Sequence, residues 1–186
     1  MKSNIVFLDI DGVLQPWGQQ DRFNHDMDAL RAQLAQERNP RYAELDKYDI
    51  AAVTYDWNPQ AVERLRRICD EGDAEIIISS SWRDFNPVRD LQLLFALHGL
   101  DKYVVGSTPP GQCPRCHAYY SRGEEISMVL NKLWGRVKHY VVLDDVAGGL
   151  ERHQEHLVHT ESGVGLEERH VAEALEKLRL DAQYFH

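Results

Sequence analysis

Apolar residues along the chain fall into short blocks separated by longer stretches with helical spacing. Blocks at Ile5 to Leu8, Glu75 to Ile78, Tyr103 to Val105, His139 to Leu143 and His156 to His159 each predict a strand. The middle blocks are β-branched and apolar at successive positions, the pattern of strands covered on both faces. Between them, Val62, Leu65, Ile68 and Cys69 recur at helical spacing behind Asn58-Pro59, which offers an N-cap and a proline at the first helical position. Asn86-Pro87 repeats the device before Val88, Leu91, Leu94 and Phe95, and Gly99 closes that helix. Ser121 and Glu124 form a capping-box pattern ahead of Ile126, Val129, Leu130 and Leu133, with Gly135 as the stop. A last helix runs through Val171, Ala174, Leu175 and Leu178. Strands alternating with helices predict a three-layer, Rossmann-like α/β domain with a parallel sheet, whose ligands sit at the carboxyl ends of the strands.

One stretch does not follow this alternation. Residues 15–57 hold one predicted helix, with Met27, Leu30 and Leu34 on a face, and then a polar, aromatic loop through Tyr42, Tyr48, Tyr55 and Trp57. A connection of that length is unusual within a compact domain, so it is read as a small cap insertion lying over the mouth of the sheet. The 186 residues are otherwise one domain's worth of chain, 1–186, with a single core.

Composition narrows the partners. A formal net charge of −9 opposes a broad electrostatic grip on duplex nucleic acid, which needs clustered lysine and arginine. A small anionic substrate held by a metal remains compatible. No apolar run approaches the ~20 residues that span a bilayer, and the N-terminal IVFL is too short for a signal-peptide core, so no membrane partner and a cytoplasmic location are expected. Cys69, Cys113 and Cys116 are read as free thiols; CPRCH at 113–117 has half-site zinc spacing, but no second pair follows. His153, His156 and His159 cross from a loop into a strand and are read as solvated. Trp17, Trp57 and Trp82 fit either a base-stacking role near the mouth or rim packing.

The chemistry begins where the first strand ends, in VFLDIDGVL at 6–14. Asp9 and Asp11 start on one side of an extended chain, about 6.5 Å apart at ~3.3 Å per residue. Their charges repel by roughly 2 to 3 kcal/mol at an effective dielectric near 20, so a proton or a cation must compensate. Carboxylate oxygens of this kind suit Mg²⁺. Gly12 permits the sharp exit that follows. An acidic pair alone fits a solvated turn equally well, but YVVLDDV at 140–146 is a second apolar block ending in two acids, Asp144 and Asp145. In a parallel sheet both ends fall on one rim, which brings four candidate metal ligands together: Asp9, Asp11, Asp144 and Asp145. The block EIIISSSWR at 75–83 ends at that rim in hydroxyls, so Ser79 and Ser80 are candidate phosphate binders; Ser81 or Asp84 fits a helix cap. Arg122 heads the capping-box helix, where a guanidinium beside the positive helix end suits phosphate, and Lys132 is the alternative basic residue.

The ordered set DIDGVL, a strand running into Ser79, a basic residue at 122 heading a helix, and LDD at 143–145 resembles the haloacid dehalogenase-like (HAD) superfamily of phosphotransferases. SSSWR at 79–83, RGEEI at 122–126 and HTESGVGL at 159–166 are similar to its branch found as the HAD domain of Swiss Army Knife RNA repair proteins. The resemblance implies a Mg²⁺-dependent phosphatase in which Asp9 attacks phosphorus to form an aspartyl phosphate. Asp11 would serve as acid and then base, Asp144 would join Asp9 and the Asp11 carbonyl around Mg²⁺, and Asp145 would be a second ligand or orienter. Ser79 and Arg122 would hold the phosphoryl oxygens, although lysine is the commoner basic residue in the superfamily and leaves Lys132 open. A nucleotide or a nucleic-acid terminal phosphate is the first expected substrate, with a small metabolite phosphate close behind. The rivals are a phosphoacceptor module, whose acceptor aspartate would end a middle strand of the chain, and a binding protein that keeps the metal site without catalysis.

Overall fold

The computed structural model describes residues 1–112 and 119–182. Five strands, β1 (Asn4–Leu8), β2 (Ala74–Ile78), β3 (Val104–Ser107), β4 (His139–Asp144) and β5 (Leu157–His159), form one parallel sheet in the order β3-β2-β1-β4-β5. Each predicted strand is present with ends shifted by a residue or two. The central strand β1 pairs Leu8 with Ile78 on one side and Leu143 on the other. That register continues past the strand ends, where Asp9 N–H donates to the Leu143 carbonyl at 2.9 Å and Ser79 N–H to that of Leu8 at 2.8 Å. Asp9, Ser79 and Asp144 are thereby set on one rim by the backbone ladder itself.

The sheet buries both faces, as its continuous apolar strands require. Val6, Leu8, Ile76, Ile78, Val141 and Leu143 point to one core, shared with α3 (Pro59–Glu71), α4 (Val88–Phe95) and α6 (Glu168–Lys177). Ile5, Phe7, Ile77, Tyr140 and Val142 point to the other, closed by Ile126 and Leu130 of α5 (Arg122–Lys132). Helix starts follow the expected chemistry at two places. Asn58 caps α3, and the Ser121–Glu124 capping box heads α5. The third differs: Asn86 does not cap α4, because its amide donates to Asp49 at 2.9 Å and to the Trp82 carbonyl, and Pro87 stands at the cap position instead. No described helix is long and apolar enough to cross a membrane.

The insertion is more ordered than a polar loop. After α1 (Met27–Glu37) come a 3₁₀ turn at Pro40–Glu44, the short helix α2 (Lys47–Ala51) and a π-type turn at Ala52–Asp56. Asp26, Asn39 and Asp46 each accept a backbone N–H at the start of one of these pieces, so residues that read as loop polarity are caps. The pieces are too short for a periodicity window to see. Two anchors hold the insertion down, and one ion pair ties its ends together. Tyr42 donates its hydroxyl to the Leu93 carbonyl and Trp57 stacks on His98, while within the insertion buried Asp56 pairs with Arg22 Nε at 2.8 Å.

The reading of the histidines as solvated is corrected, and that of Cys69 as a free thiol holds. His153 and His156 are fully buried, because residues 151–156 form a 3₁₀ turn in which i and i+3 eclipse and share a face. His153 Nδ1 meets the Tyr140 hydroxyl and its Nε2 the Gly123 carbonyl, while His156 lies flat on the Tyr140 ring. His159 alone of the three is exposed. Cys69 is a buried core thiol, pushed up to about 12 mainly by burial; Cys113 and Cys116 lie outside the described residues.

Candidate active site

The rim gathers side chains from four chain segments. Asp9 leaves β1 almost fully buried, its Oδ1 accepting the Ile10 N–H at 2.9 Å. Asp144, the last residue of β4, is fully buried and its Oδ1 accepts the Val146 N–H at 2.8 Å. Arg122 Nη1 reaches from the first turn of α5 to both, 2.7 Å from Asp9 Oδ2 and 2.5 Å from Asp144 Oδ2. Burial, with Asp9 adding to it against Arg122, pushes the Asp144 carboxyl up to about 6. One oxygen from each of Asp9, Asp144 and Asp145 lies within 4.8 Å of the others.

Asp11 goes elsewhere. Its carboxylate turns from that triad toward the cap, where Trp82 Nε1 donates to Oδ2 at 3.0 Å. Burial first, opposed by the Trp82 hydrogen bond and assisted by Asp9, holds its proton above the ordinary carboxylate range. The two acids two residues apart therefore occupy different environments, one facing a guanidinium and one facing an indole and the cap. Acid catalysis uses such a division, with two carboxyls of one segment held in unlike surroundings. Between them Gly12 has φ +72°, and a Cβ there would lie 2.2 Å from Asp145 Oδ2. The residue must be glycine both for its backbone and for the space that Asp145 occupies. Thr160 fixes the turn by donating its hydroxyl to the Gly12 carbonyl at 2.8 Å.

Ser79 and Ser80 are fully buried, and neither hydroxyl has a partner among the described residues. The capping alternative fails on geometry: Ser80 stands at the cap position of the turn Ser81–Asp84, yet no side chain caps that turn. Asp145 Oδ2 is likewise buried without a partner among the described residues. Orphaned polar atoms carry a cost of about 1–3 kcal/mol each, so three on one rim point to an absent ligand. The donor set, three carboxylates with an oxygen from each within 4.8 Å of the others, fits Mg²⁺ at Asp9, Asp144 and Asp145. Lys132 lies at the opposite, exposed end of α5, ten residues and about 15 Å of helix from Arg122. The structure thus brings Arg122 to the rim and leaves Lys132 away from it.

Sequence reasoning missed what braces these groups. Arg83 is buried beneath the serines, donating Nη1 to the Ser79 carbonyl at 3.0 Å and the Ser80 carbonyl at 2.6 Å, and Nε to the Pro109 carbonyl at 3.1 Å. Its Nη2 pairs with Glu125 of α5 at 2.7 Å. The pair ties the hydroxyl loop to the helix that carries Arg122. Gly123 allows the same helix to approach the loop after β4, its N–H donating to the Gly149 carbonyl; a Cβ there would sit 2.5 Å from that oxygen. Both residues stand in the quoted strings SSSWR and RGEEI, but nothing in a string distinguishes a buried ion pair from a surface one.

Comparison with known proteins follows the geometry. A search of curated proteins returns no match to the chain. Among solved structures, a Thermotoga maritima protein described as "putative beta-phosphoglucomutase" is similar at 18% identity and a TM-score of 0.46, over 94% of this chain and 91% of that one. The family model described as the HAD domain in Swiss Army Knife RNA repair proteins matches residues 5–171, a span that holds all five strands but for Asn4 and every rim residue named above. The chain belongs to this HAD domain family.

Proposed function

We propose that the protein is a Mg²⁺-dependent phosphomonoesterase that works through an aspartyl phosphate on Asp9. Membership of the HAD family supports hydrolase chemistry of the phosphatase kind. The single observation that carries the reading is the separation of Asp9 from Asp11, with the first paired to Arg122 and the second set toward the cap beside Trp82, its pKa raised by burial.

Mg²⁺ held by Asp9, Asp144 and Asp145 would supply charge to offset the phosphoryl oxygens. The chain's own groups do the rest. Asp9 attacks phosphorus, the ester P–O bond breaks, and the leaving oxygen takes the Asp11 proton. Asp11, now a carboxylate, removes a proton from water; the resulting hydroxide attacks phosphorus and the P–O bond to Asp9 breaks. Asp9 is regenerated, Asp11 regains its proton, and one ester plus one water yields an alcohol and inorganic phosphate. Arg122 exchanges a carboxylate for a phosphoryl oxygen, and the orphaned hydroxyls of Ser79 and Ser80 donate to others. The family's association with RNA repair makes nucleotides and nucleic-acid ends the first substrates to test, with small metabolite phosphates beside them. Turnover in the cytoplasm accords with such substrates.

The test is a phosphatase screen with Mg²⁺ over nucleotides, phosphorylated oligonucleotide ends and sugar phosphates, comparing wild type with Asp9→Asn. Release of phosphate should fall at least about 10³-fold in the variant. Equal activity in the two proteins would remove Asp9 as nucleophile.

A further inference from the structure

On the cap side of Asp11 lies an open cavity of about 750 Å³, walled by the insertion and by the segment after Ser80. Its lining carries five carboxylates, Asp11, Glu44, Asp46, Asp49 and Asp90, against one guanidinium, Arg31. Arg31 is itself engaged by Asp28 at 3.1 Å, and Arg41 nearby pairs with Asp90. On the same lining stand the aromatic side chains of Tyr48, Trp82 and Phe85. Phe85 is 87% exposed and Tyr48 47%, with Phe23 leaning on Tyr48. Exposed aromatic rings gathered at the rim of a cavity are an unfilled stacking surface.

Asp11 belongs to both places, since it is the acid of the reaction and a wall of this cavity. If Asp11 protonates the leaving oxygen, the leaving group must project into the cavity. Resting on the phosphomonoesterase reading, we propose that this cavity seats a planar, donor-rich alcohol without a second anionic group, the chemistry of a nucleoside, so that the preferred substrate is a nucleoside monophosphate. Carboxylates accept hydrogen bonds from sugar hydroxyls and exocyclic amines, and the rings take the base face. A second phosphate would enter among like charges with no free guanidinium on the lining to receive it. The same field disfavours a polynucleotide end, whose first internal phosphodiester follows one nucleoside behind the reacting phosphate. A small cationic alcohol satisfies the acids but leaves most of 750 Å³ unfilled.

The experiment measures kcat/KM with Mg²⁺ for a nucleoside monophosphate, a terminally phosphorylated dinucleotide, a sugar phosphate, phosphocholine and p-nitrophenyl phosphate. The mononucleotide should exceed the dinucleotide and the sugar phosphate by about tenfold or more, the size of a screened like-charge contact or a stacked base. Glu44→Gln with Asp49→Asn should narrow the dinucleotide gap by about tenfold, and Phe85→Ala should raise KM for the mononucleotide more than for the sugar phosphate. Equal or better use of the dinucleotide, or a preference for phosphocholine, overturns the inference while Asp9-dependent hydrolysis of p-nitrophenyl phosphate leaves the phosphatase reading standing. Absence of hydrolysis of all five overturns that reading instead. Quenching of Trp82 fluorescence, read against Trp82→Phe, then decides the cavity: saturable binding of the mononucleotide tighter than the dinucleotide sustains it, and equal or absent binding overturns it.

Discussion

Replacing Arg83 by methionine tests whether a buried ion pair holds the hydroxyl loop at Ser79 and Ser80. Arg83 and Glu125 have side chains only 6% and 4% exposed, and the guanidinium also serves three backbone carbonyls. Removing one member of a buried pair costs about 3–5 kcal/mol, because the other charge stays desolvated. Glu125 has an escape, since burial already raises its pKa against the pull of Arg83. In Arg83→Met that rise grows, and the side chain takes a proton rather than remain charged. What persists at any pH is the loss of donors to the carbonyls of Ser79, Ser80 and Pro109, about 1 kcal/mol each. The expected loss is therefore about 3–5 kcal/mol at pH 7.5 and less at pH 5. The sign follows from linkage: a raised folded pKa contributes stability below the unfolded value that is lost as pH climbs through the folded one.

Urea unfolding followed by tryptophan fluorescence measures this at both pH values, with Arg83→Met/Glu125→Gln as the second variant. The double variant should be about 1–2 kcal/mol more stable than the single one at pH 7.5, since no carboxylate is left to desolvate. In protein that remains folded, kcat/KM should fall about 10²-fold, because Ser79 and Ser80 lose the anchor that positions them. A loss below about 1 kcal/mol, or a double variant no more stable than the single, would refute the brace.

Trp82→Phe removes the hydrogen bond that lowers the Asp11 pKa, so the alkaline limb of the kcat/KM profile should move to higher pH; an unmoved limb separates Asp11 from the acid step. Mg²⁺ at about 100 times its Kd should stabilise the protein by about 2.7 kcal/mol, and the gain measured by thermal shift should fade below about pH 6, where Asp144 keeps its proton. Without metal, the raised Asp144 pKa works the other way: stability present below 3.8 is lost as pH rises to about 6, so the two melting curves should separate across that window and run parallel above it. His156 donates Nδ1–H to the Tyr140 carbonyl and buries an unpartnered Nε2, and burial lowers its pKa. Its contribution to stability is complete above about 6.5 and is lost as pH falls through the folded value. His156→Phe should lose one hydrogen bond, about 1 kcal/mol, yet show a flatter decline in acid; parallel curves for the two proteins would count against it.

What the chain discloses about itself depends on whether a feature is local. The strand at Ile5–Leu8 and the Ser121–Glu124 box are legible because periodicity and capping act within a few residues. Asp9, Ser79 and Asp144 converge predictably because a parallel sheet places strand ends on one edge, which makes a long-range fact out of three short ones. The rule has limits even there. Extrapolating the strand pointed Asp9 and Asp11 the same way, but β1 ends at Leu8, and the turn at Gly12 sends Asp11 to Trp82 and Asp9 to Arg122. His153 and His156 defeated the same kind of reasoning, since a 3₁₀ turn has its own period of three.

Features that depend on two distant segments carry no local mark. Arg83 and Glu125 are 42 positions apart and look like surface charges in their own neighbourhoods. Lys132 and Arg122 share a helix and a charge, and only the direction of α5 relative to the rim separates them. The insertion makes the same point at larger scale. Its acids read only as the polarity of a loop until the structure sets Glu44, Asp46 and Asp49 on the lining of the cavity that Asp11 shares. On the proposed mechanism selectivity and chemistry then meet at one carboxyl, for Asp11 would both lend its proton to the leaving oxygen and decide which side of the site that oxygen leaves by. A change in the cap would alter the substrate without touching Asp9, and would leave Asp9 as the residue that bonds to phosphorus.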